Sequence, residues 1–234
     1  MKINLKSKDY IIILAVLLVI SIAVNMYSVS KVCSYRYSLG HESYGEIEEI
    51  RQRNESIMDI LNISIDKGSI RNEEILKLYK NYDVIAGDII KLWQQYADYT
   101  HRSVSIFAKN IETGKIIEND IHGKIKEYML STLSKEMKNE QSRLILNEKD
   151  LECFKAMEDL SVRIYEYFNE FNNEKLNGNS GENKEKKVIN NHYWIDMLNG
   201  IYDISNDYID IEWNIEVEDQ LKVDFDRELD YPQE

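Results

Sequence analysis

Four histidines are the residues whose chemistry would be most informative in this sequence. They lie far apart, and no His-Glu-x-x-His or Cys-x-x-Cys motif occurs. Protein zinc sites usually take two ligands from one helix or turn, so their ligands recur at short spacings. The sequence therefore predicts no metal site, and we expect ordinary surface or half-buried residues at His41, His101, His122 and His192.

Motifs for covalent catalysis are also missing from the sequence. No Gly-x-Ser-x-Gly elbow occurs, and the two cysteines, Cys33 and Cys153, lie in no recognisable catalytic context. Gly178 and Gly181 lie in a polar stretch that no strand precedes, so a phosphate-binding loop is not indicated. We therefore expect no catalytic residue, no cofactor and no enzymatic activity. Pairing of the two cysteines is compatible with the sequence, but nothing requires it.

Three aspartates near the C-terminus are the best candidates for calcium binding. Asp203, Asp207 and Asp210 would share one face if a helix continued through them. They do not match a calcium-binding loop, in which a glycine-bearing turn brings several oxygen atoms around one ion. A solvated acidic face is the favoured interpretation, and a specific calcium site is the alternative.

Aromatic residues at helical spacing form the strongest candidate for a binding site. Tyr79, Tyr82, Trp93 and Tyr96 would lie on the apolar side of one long helix. Such a stripe is most often the edge of a hydrophobic core. The alternative is a ligand groove or an interaction face formed by these four side chains.

The apolar run from Tyr10 to Tyr27 indicates where in the cell any such site would lie. As a helix it spans about 27 Å, which is close to the thickness of the hydrocarbon core of a bilayer. Lysines precede the run and glutamates soon follow it, so the positive-inside rule predicts a cytoplasmic segment at 1–9 and an extracytoplasmic remainder. The alternative is a cleaved signal peptide and a secreted protein, because Ser28 and Ser30 are small residues at a suitable spacing.

The strongly acidic composition argues against nucleic acid as a partner. The 234 residues carry a formal net charge of -13 at pH 7. Residues 203–234 contain twelve acidic and two basic residues, so most of this charge lies in the C-terminal segment. Such a surface would repel a phosphate backbone.

The high content of Asn, Ile, Lys and Glu is typical of bacterial proteins.

A helical bundle is predicted for residues 46–171, after a loosely structured juxtamembrane segment at 28–45. The clearest pattern is a pair of apolar series in a helix that begins near Asn72, each with a period of about seven residues. The two series are Ile75, Tyr82, Ile89, Tyr96 and Leu78, Ile85, Leu92, Tyr99. Further helices are predicted from Gly123 and from Asn147, which is a good N-cap residue. The tyrosines widen the stripe, which favours a bundle over a two-stranded coiled coil.

The C-terminal part combines several kinds of pattern. Residues 172–187 have almost no apolar side chains, which predicts a disordered linker. An acidic C-terminal region follows at 188–234, with a helix at 188–205 and alternating apolar and acidic residues at 209–225. This alternation favours a β-hairpin, and a continued helix is the alternative. At 104–117 a helix end with a loop is favoured over a small hairpin.

The predicted fold is therefore mainly α: an N-terminal transmembrane helix, an extracytoplasmic helical bundle and a small C-terminal β-hairpin. We expect a single-pass membrane protein with an interaction or structural role at the bacterial cell envelope, through a protein partner or self-association. The alternative is a sensor-like module that binds a small molecule in a tyrosine-lined groove.

Overall fold

The computed structural model describes residues 7–101, 120–138 and 142–213. These residues form six helices and two short strands, so the protein is mainly helical, as its sequence predicts. In chain order the elements are α1 (Ser7–Lys67), β1 (Ser69–Arg71), α2 (Asn72–His101), α3 (Ile121–Glu136), β2 (Arg143–Ile145), α4 (Glu148–Glu174), α5 (Gly181–Asn190) and α6 (Tyr193–Asn206). The hydrophobic core lies where the second half of α1 packs against α2, α4, α5 and α6, and α3 extends it by packing along α2.

Helix α1 runs without a break through 61 residues, a length of about 92 Å. The side chains of its N-terminal apolar run are exposed, and it is the one described helix that is long and apolar enough to cross a membrane. The predicted loose segment at 28–45 is instead part of this helix. It contains no proline, and one of its faces is covered: Gly40 lies against Ile189 of α5, and Ser43 contacts Gln95 of α2.

The apolar face predicted for α2 is confirmed, and the second half of α1 buries an apolar face as well. Ile47, Ile50, Ile57 and Leu61 of α1 are each at most 1 % exposed. The buried members of the two series in α2 are Ile75, Leu78, Tyr82, Ile85 and Leu92. Because α1 also packs along α4, the arrangement is a bundle rather than a two-stranded coiled coil.

A two-stranded antiparallel sheet closes the end of the bundle that is farthest from the apolar run. Gly68 ends α1 in a left-handed conformation, with φ of 61°, which glycine adopts without strain. The chain then pairs Ile70 of β1 with Leu144 of β2. The sequence predicts neither strand, because each has only three residues.

Side chains near the helix starts satisfy the free amides there. The Asn147 side chain accepts a hydrogen bond of 3.0 Å from the amide of Asp150, so the predicted cap of α4 is confirmed. At α2 the carboxylate of Glu74 accepts a hydrogen bond of 3.0 Å from the amide of Arg71, which lies just before the helix. In both cases a side-chain oxygen, which is negative, lies at the positive end of the helix dipole, and this arrangement is favourable.

The C-terminal part differs from its prediction. Residues 172–187 include the end of α4 and most of α5 rather than a disordered linker, and the predicted helix at 188–205 is divided between α5 and α6. The division falls at His192, whose φ of 56° interrupts the helical path. Residues 209–213 form no strand, and the remainder of the predicted hairpin lies outside the described residues, as does the segment at 104–117.

Candidate ligand pocket between the first two helices

The four aromatic residues proposed from the sequence lie on α2, but they do not share one open groove. Tyr82 is fully buried in the core, at 1 % exposure, whereas Tyr79, Trp93 and Tyr96 are half-buried. The Trp93 ring packs against Tyr96, with 5.9 Å between ring centroids, and edge-on against Tyr202 of α6 at 5.8 Å. These contacts place part of the aromatic stripe inside the packing between α2 and α6.

A concave pocket lies instead between α1 and α2, nearer the apolar run. Its volume is about 310 Å³, which is at the lower end of the range for small-molecule sites. The lining side chains are Tyr35, Ser38, Leu39 and Glu42 from α1, and Lys91, Gln94, Gln95 and Asp98 from α2. Their spacing of three or four residues places each set on one face of its helix. Polar groups from two helices therefore converge on one space.

A buried hydrogen bond joins the two helices beside this pocket. The Ser43 hydroxyl donates to Oε1 of Gln95 over 2.7 Å, and both residues are buried. Since an unpaired polar group in such a place is costly, the bond fixes how α1 and α2 sit against each other. The pocket walls are thus held in a defined register.

Glu46 lies one helical turn beyond Glu42 and has an unusual carboxyl group. Its Oε2 atom is buried without a hydrogen-bond partner among the described residues. Burial raises the pKa of Glu46 to about 7, against the attraction of Lys91, and the nearby Asp88 and Glu42 raise it further. The carboxyl group therefore changes charge near neutral pH, next to a pocket lined by charged side chains.

The side chains that line the pocket can bind a polar or charged ligand. Two carboxylates, from Glu42 and Asp98, and the Lys91 ammonium group line it together with amide and hydroxyl groups. The Lys91 ammonium group also forms an ion pair with Asp88 at 2.8 Å. In the part of the chain that the structure describes, no three His, Cys, Asp or Glu side chains are grouped to hold a metal ion.

The histidines are not all ordinary surface or half-buried residues. His122 is buried, at 4 % exposure, and its Nε2 atom lies 3.2 Å from the hydroxyl oxygen of Ser205. Burial lowers the pKa of His122 to about 4. The Ser205 hydroxyl donates to the carbonyl oxygen of Ile201 over 2.7 Å, inside the core. This pair is closed to solvent and has the environment of a structural contact. His41 pairs with Glu185 at 2.5 Å.

The predicted acidic face on α6 and beyond is partly engaged within the protein. Asp207 forms an ion pair of 2.6 Å with Arg163 of α4, whereas Asp203 and Asp210 are exposed. The two cysteines form no disulfide bond: Cys33 is exposed and Cys153 is buried.

Sequence reasoning missed the pocket because half of it belongs to residues 28–45. The spacing of Ser38 and Glu42 on α1 matches that of Lys91 and Gln95 on α2, which is the one signal available in the sequence.

Comparison of the chain with protein-family models, with curated proteins and with solved structures finds no match.

Proposed function

We propose that this chain is a single-pass membrane protein of the bacterial cell envelope, whose helical domain acts outside the cytoplasm as an interaction or structural module. One observation supports this most directly: α1 joins the apolar run at 10–27 to the bundle core without a break. A domain attached in this way has a fixed orientation relative to its anchor. This suits a protein that contacts a partner through the end of the bundle away from the membrane.

The orientation follows from charge. Lysines lie on the N-terminal side of the run, and acidic residues dominate the C-terminal part. The positive-inside rule therefore places residues 1–9 in the cytoplasm and the bundle on the other side. The alternative is a cleaved signal peptide, which would release the bundle from the membrane.

Cys33 provides a direct test of this placement. It is exposed just beyond the apolar run, whereas Cys153 is buried and should react only after unfolding. A maleimide that does not cross the cytoplasmic membrane should label Cys33 in intact cells, and a Cys33→Ser variant should remain unlabelled. The labelled protein should also stay with the membrane fraction after an alkaline wash. Labelling that requires membrane permeabilisation would reverse the orientation, and a shorter protein in the soluble fraction would indicate a cleaved signal peptide.

Exposed apolar side chains support the interaction role. Among the described residues outside the apolar run, Met137 and Ile145 are the most exposed large hydrophobic residues, at 74 % and 71 %. Met137 follows α3 and Ile145 lies in β2, so Ile145 is at the sheet end of the bundle, away from the anchor. Contiguous exposed apolar side chains commonly mark protein contacts, and we propose that these two side chains contribute to one.

Sedimentation equilibrium of the full-length protein in density-matched detergent tests self-association. Reversible, concentration-dependent association is expected, and a Met137→Ser/Ile145→Ser variant should weaken it. A Ser134→Ala variant, at an exposed position on α3, is the control. A strict monomer at all concentrations would exclude self-association and leave a different protein as the partner.

The pocket between α1 and α2 favours a second candidate function, the binding of a small molecule. Its two carboxylates, Glu42 and Asp98, suit a small polar molecule that carries an ammonium group. We expect amino acids or diamines to raise the thermal unfolding midpoint of the protein. A Glu42→Gln/Asp98→Asn variant should lose this effect while it remains folded. If no compound in either class shifts the midpoint, the pocket is not such a site.

A further inference from the structure

A second, smaller cleft lies where the apolar run of α1 enters the bundle. Its volume is about 160 Å³, and its lining side chains are Lys31, Val32, Tyr35, Arg36 and Tyr99. Two of these five side chains are cations and none is an acid, although the whole chain has a net charge of -13. The cleft is therefore a local cationic site on an acidic protein.

Aromatic rings hold the two cations of this cleft in place. The Arg36 guanidinium group lies over the Tyr99 ring, with its central carbon 5.2 Å from the centroid. The Lys31 ammonium group lies 5.6 Å from the centroid of Tyr27. The Tyr99 ring packs edge-on against the buried Trp194, with centroids 6.1 Å apart, which fixes its position. Among the described residues, no carboxylate lies within ion-pair distance of either cation, so their charge is available to a ligand.

The depth of the two cations matches the headgroup layer of a bilayer. Along the helix, Lys31 lies about 6 Å beyond Tyr27 and Arg36 about 14 Å beyond it. The headgroup layer extends roughly 5–8 Å from the hydrocarbon core. Helical side chains lean toward the N-terminus of their helix, which here is the membrane side. Both cations can therefore reach the level of lipid phosphates.

We infer that this cleft binds the headgroup of an anionic phospholipid. Lys31 and Arg36 contact the phosphate group, and Val32, Tyr35 and Tyr99 form the wall for the glycerol backbone and the first acyl carbons. A lipid suits the cleft better than a free phosphate ion because apolar and aromatic side chains complete the lining. The inference rests on the proposed membrane anchor. Because Tyr99 belongs to α2, the folded domain takes part in recognising the charged headgroup.

The test uses the full-length protein in nanodiscs of phosphatidylcholine alone or with phosphatidylglycerol. The thermal unfolding midpoint should be higher in discs that contain phosphatidylglycerol, and this shift should shrink at high salt. A Lys31→Gln/Arg36→Gln variant should lose the shift. A Lys149→Gln/Lys155→Gln variant removes the same charge from exposed positions on α4 and should keep it.

The remaining outcomes separate this inference from the proposed function. Failure of the wild-type protein to enter nanodiscs would contradict the membrane anchor itself. Normal incorporation with equal midpoints in the two lipids, or an equal shift in both variants, would overturn the lipid site alone. Inorganic phosphate added to the protein in detergent should produce no shift. A shift as large as that of the lipid would identify a phosphate-ion site and overturn the assignment to a lipid.

Discussion

The side-chain amide of Asn54 donates a hydrogen bond of 2.7 Å to the main-chain carbonyl oxygen of Ser161. Asn54 lies on α1 and Ser161 on α4, and their exposures are 3 % and 1 %. The core faces of these helices are otherwise mainly apolar, and apolar contacts alone permit small shifts along the helix axis. A buried polar bond does not, because a displaced amide would remain unpaired. This bond therefore fixes the register of α4 along α1.

Replacement of Asn54 by alanine should destabilise the protein. It removes the donor and leaves a small cavity, so we expect the free energy of unfolding to fall by about 1–3 kcal/mol. Asn62→Ala is the matched control, since Asn62 is exposed on the same helix and should change stability by less than about 0.5 kcal/mol. Chemical denaturation of both variants in detergent measures the difference. Equal effects would show that the bond between α1 and α4 contributes nothing.

Stability should fall as the pH rises through the range in which Glu46 ionises. Burial raises the pKa of Glu46 to about 7, from 4.5 in the unfolded chain; Lys91 opposes this shift, and Asp88 and Glu42 add to it. The folded protein thus binds this proton more tightly than the unfolded chain. The loss in free energy of unfolding that ionised Glu46 causes is absent below pH 4.5, grows between pH 4.5 and 7, and is complete above pH 7.

A Glu46→Gln variant isolates this effect, because glutamine has a similar shape and no charge. Urea denaturation should show that its advantage over the wild-type protein is larger at pH 8 than at pH 4.5. Glu127→Gln, at an exposed position on α3, is the control and should show no such dependence. A constant difference between Glu46→Gln and wild type across this pH range would contradict the raised pKa.

Acidification should destabilise the protein through His122. Burial lowers the pKa of His122 to about 4, below the ordinary value of 6.5, so the unfolded chain takes up the proton first. The stabilising effect of the neutral ring is complete above pH 6.5 and is lost as the pH falls toward 4. At pH 5 this loss is about 2 kcal/mol.

A His122→Gln variant cannot take up this proton. It should be less stable than the wild-type protein at pH 7.5, because the substitution repacks a buried position. The difference between the two proteins should narrow by pH 5 in chemical denaturation. If it stayed the same, His122 would not be the group that responds to acid.

The helices that the sequence predicts best are those whose signal is local. In α2 and α4 the apolar residues recur at three or four positions, and Asn147 marks the start of α4. Helix α5 has no such signal, because its residues are mainly polar. Tertiary contacts stabilise it instead: Val188 and Ile189 are buried, and Lys184 forms an ion pair of 2.5 Å with Glu48 of α1.

The pocket could not be predicted for a related reason. Its two walls are far apart in the sequence, and they meet only when the register of α1 against α2 is known. The Ser43–Gln95 hydrogen bond that helps to set this register is a contact between helices and leaves no periodic pattern. The aromatic stripe is visible in the sequence, but its partners Trp194 and Tyr202 belong to α6, more than ninety residues later.

Two glycines on α1 should respond in opposite ways to a larger side chain. A Cβ atom at Gly40 would lie 3.0 Å from Cγ2 of Ile189 in α5, whereas one at Gly45 would meet nothing within 4 Å. Gly45→Ala should therefore raise the free energy of unfolding by about 0.5–1 kcal/mol, because glycine is unfavourable inside a helix. Gly40→Val should lower it by about 1–3 kcal/mol, because the added methyl groups overfill the contact.

Hydrogen exchange locates the effect of the Gly40 substitution. If close packing at Gly40 holds α5 against α1, Gly40→Val should reduce the protection of the amides around Val188 and Ile189 more than that of the amides in α4. Gly45→Ala should leave the exchange of α5 unchanged or slower, which controls for a general change in α1. Uniform loss of protection in Gly40→Val would mean that the substitution acts on the whole bundle. Unchanged protection in α5 would mean that Lys184 and the other contacts of α5 hold it without Gly40.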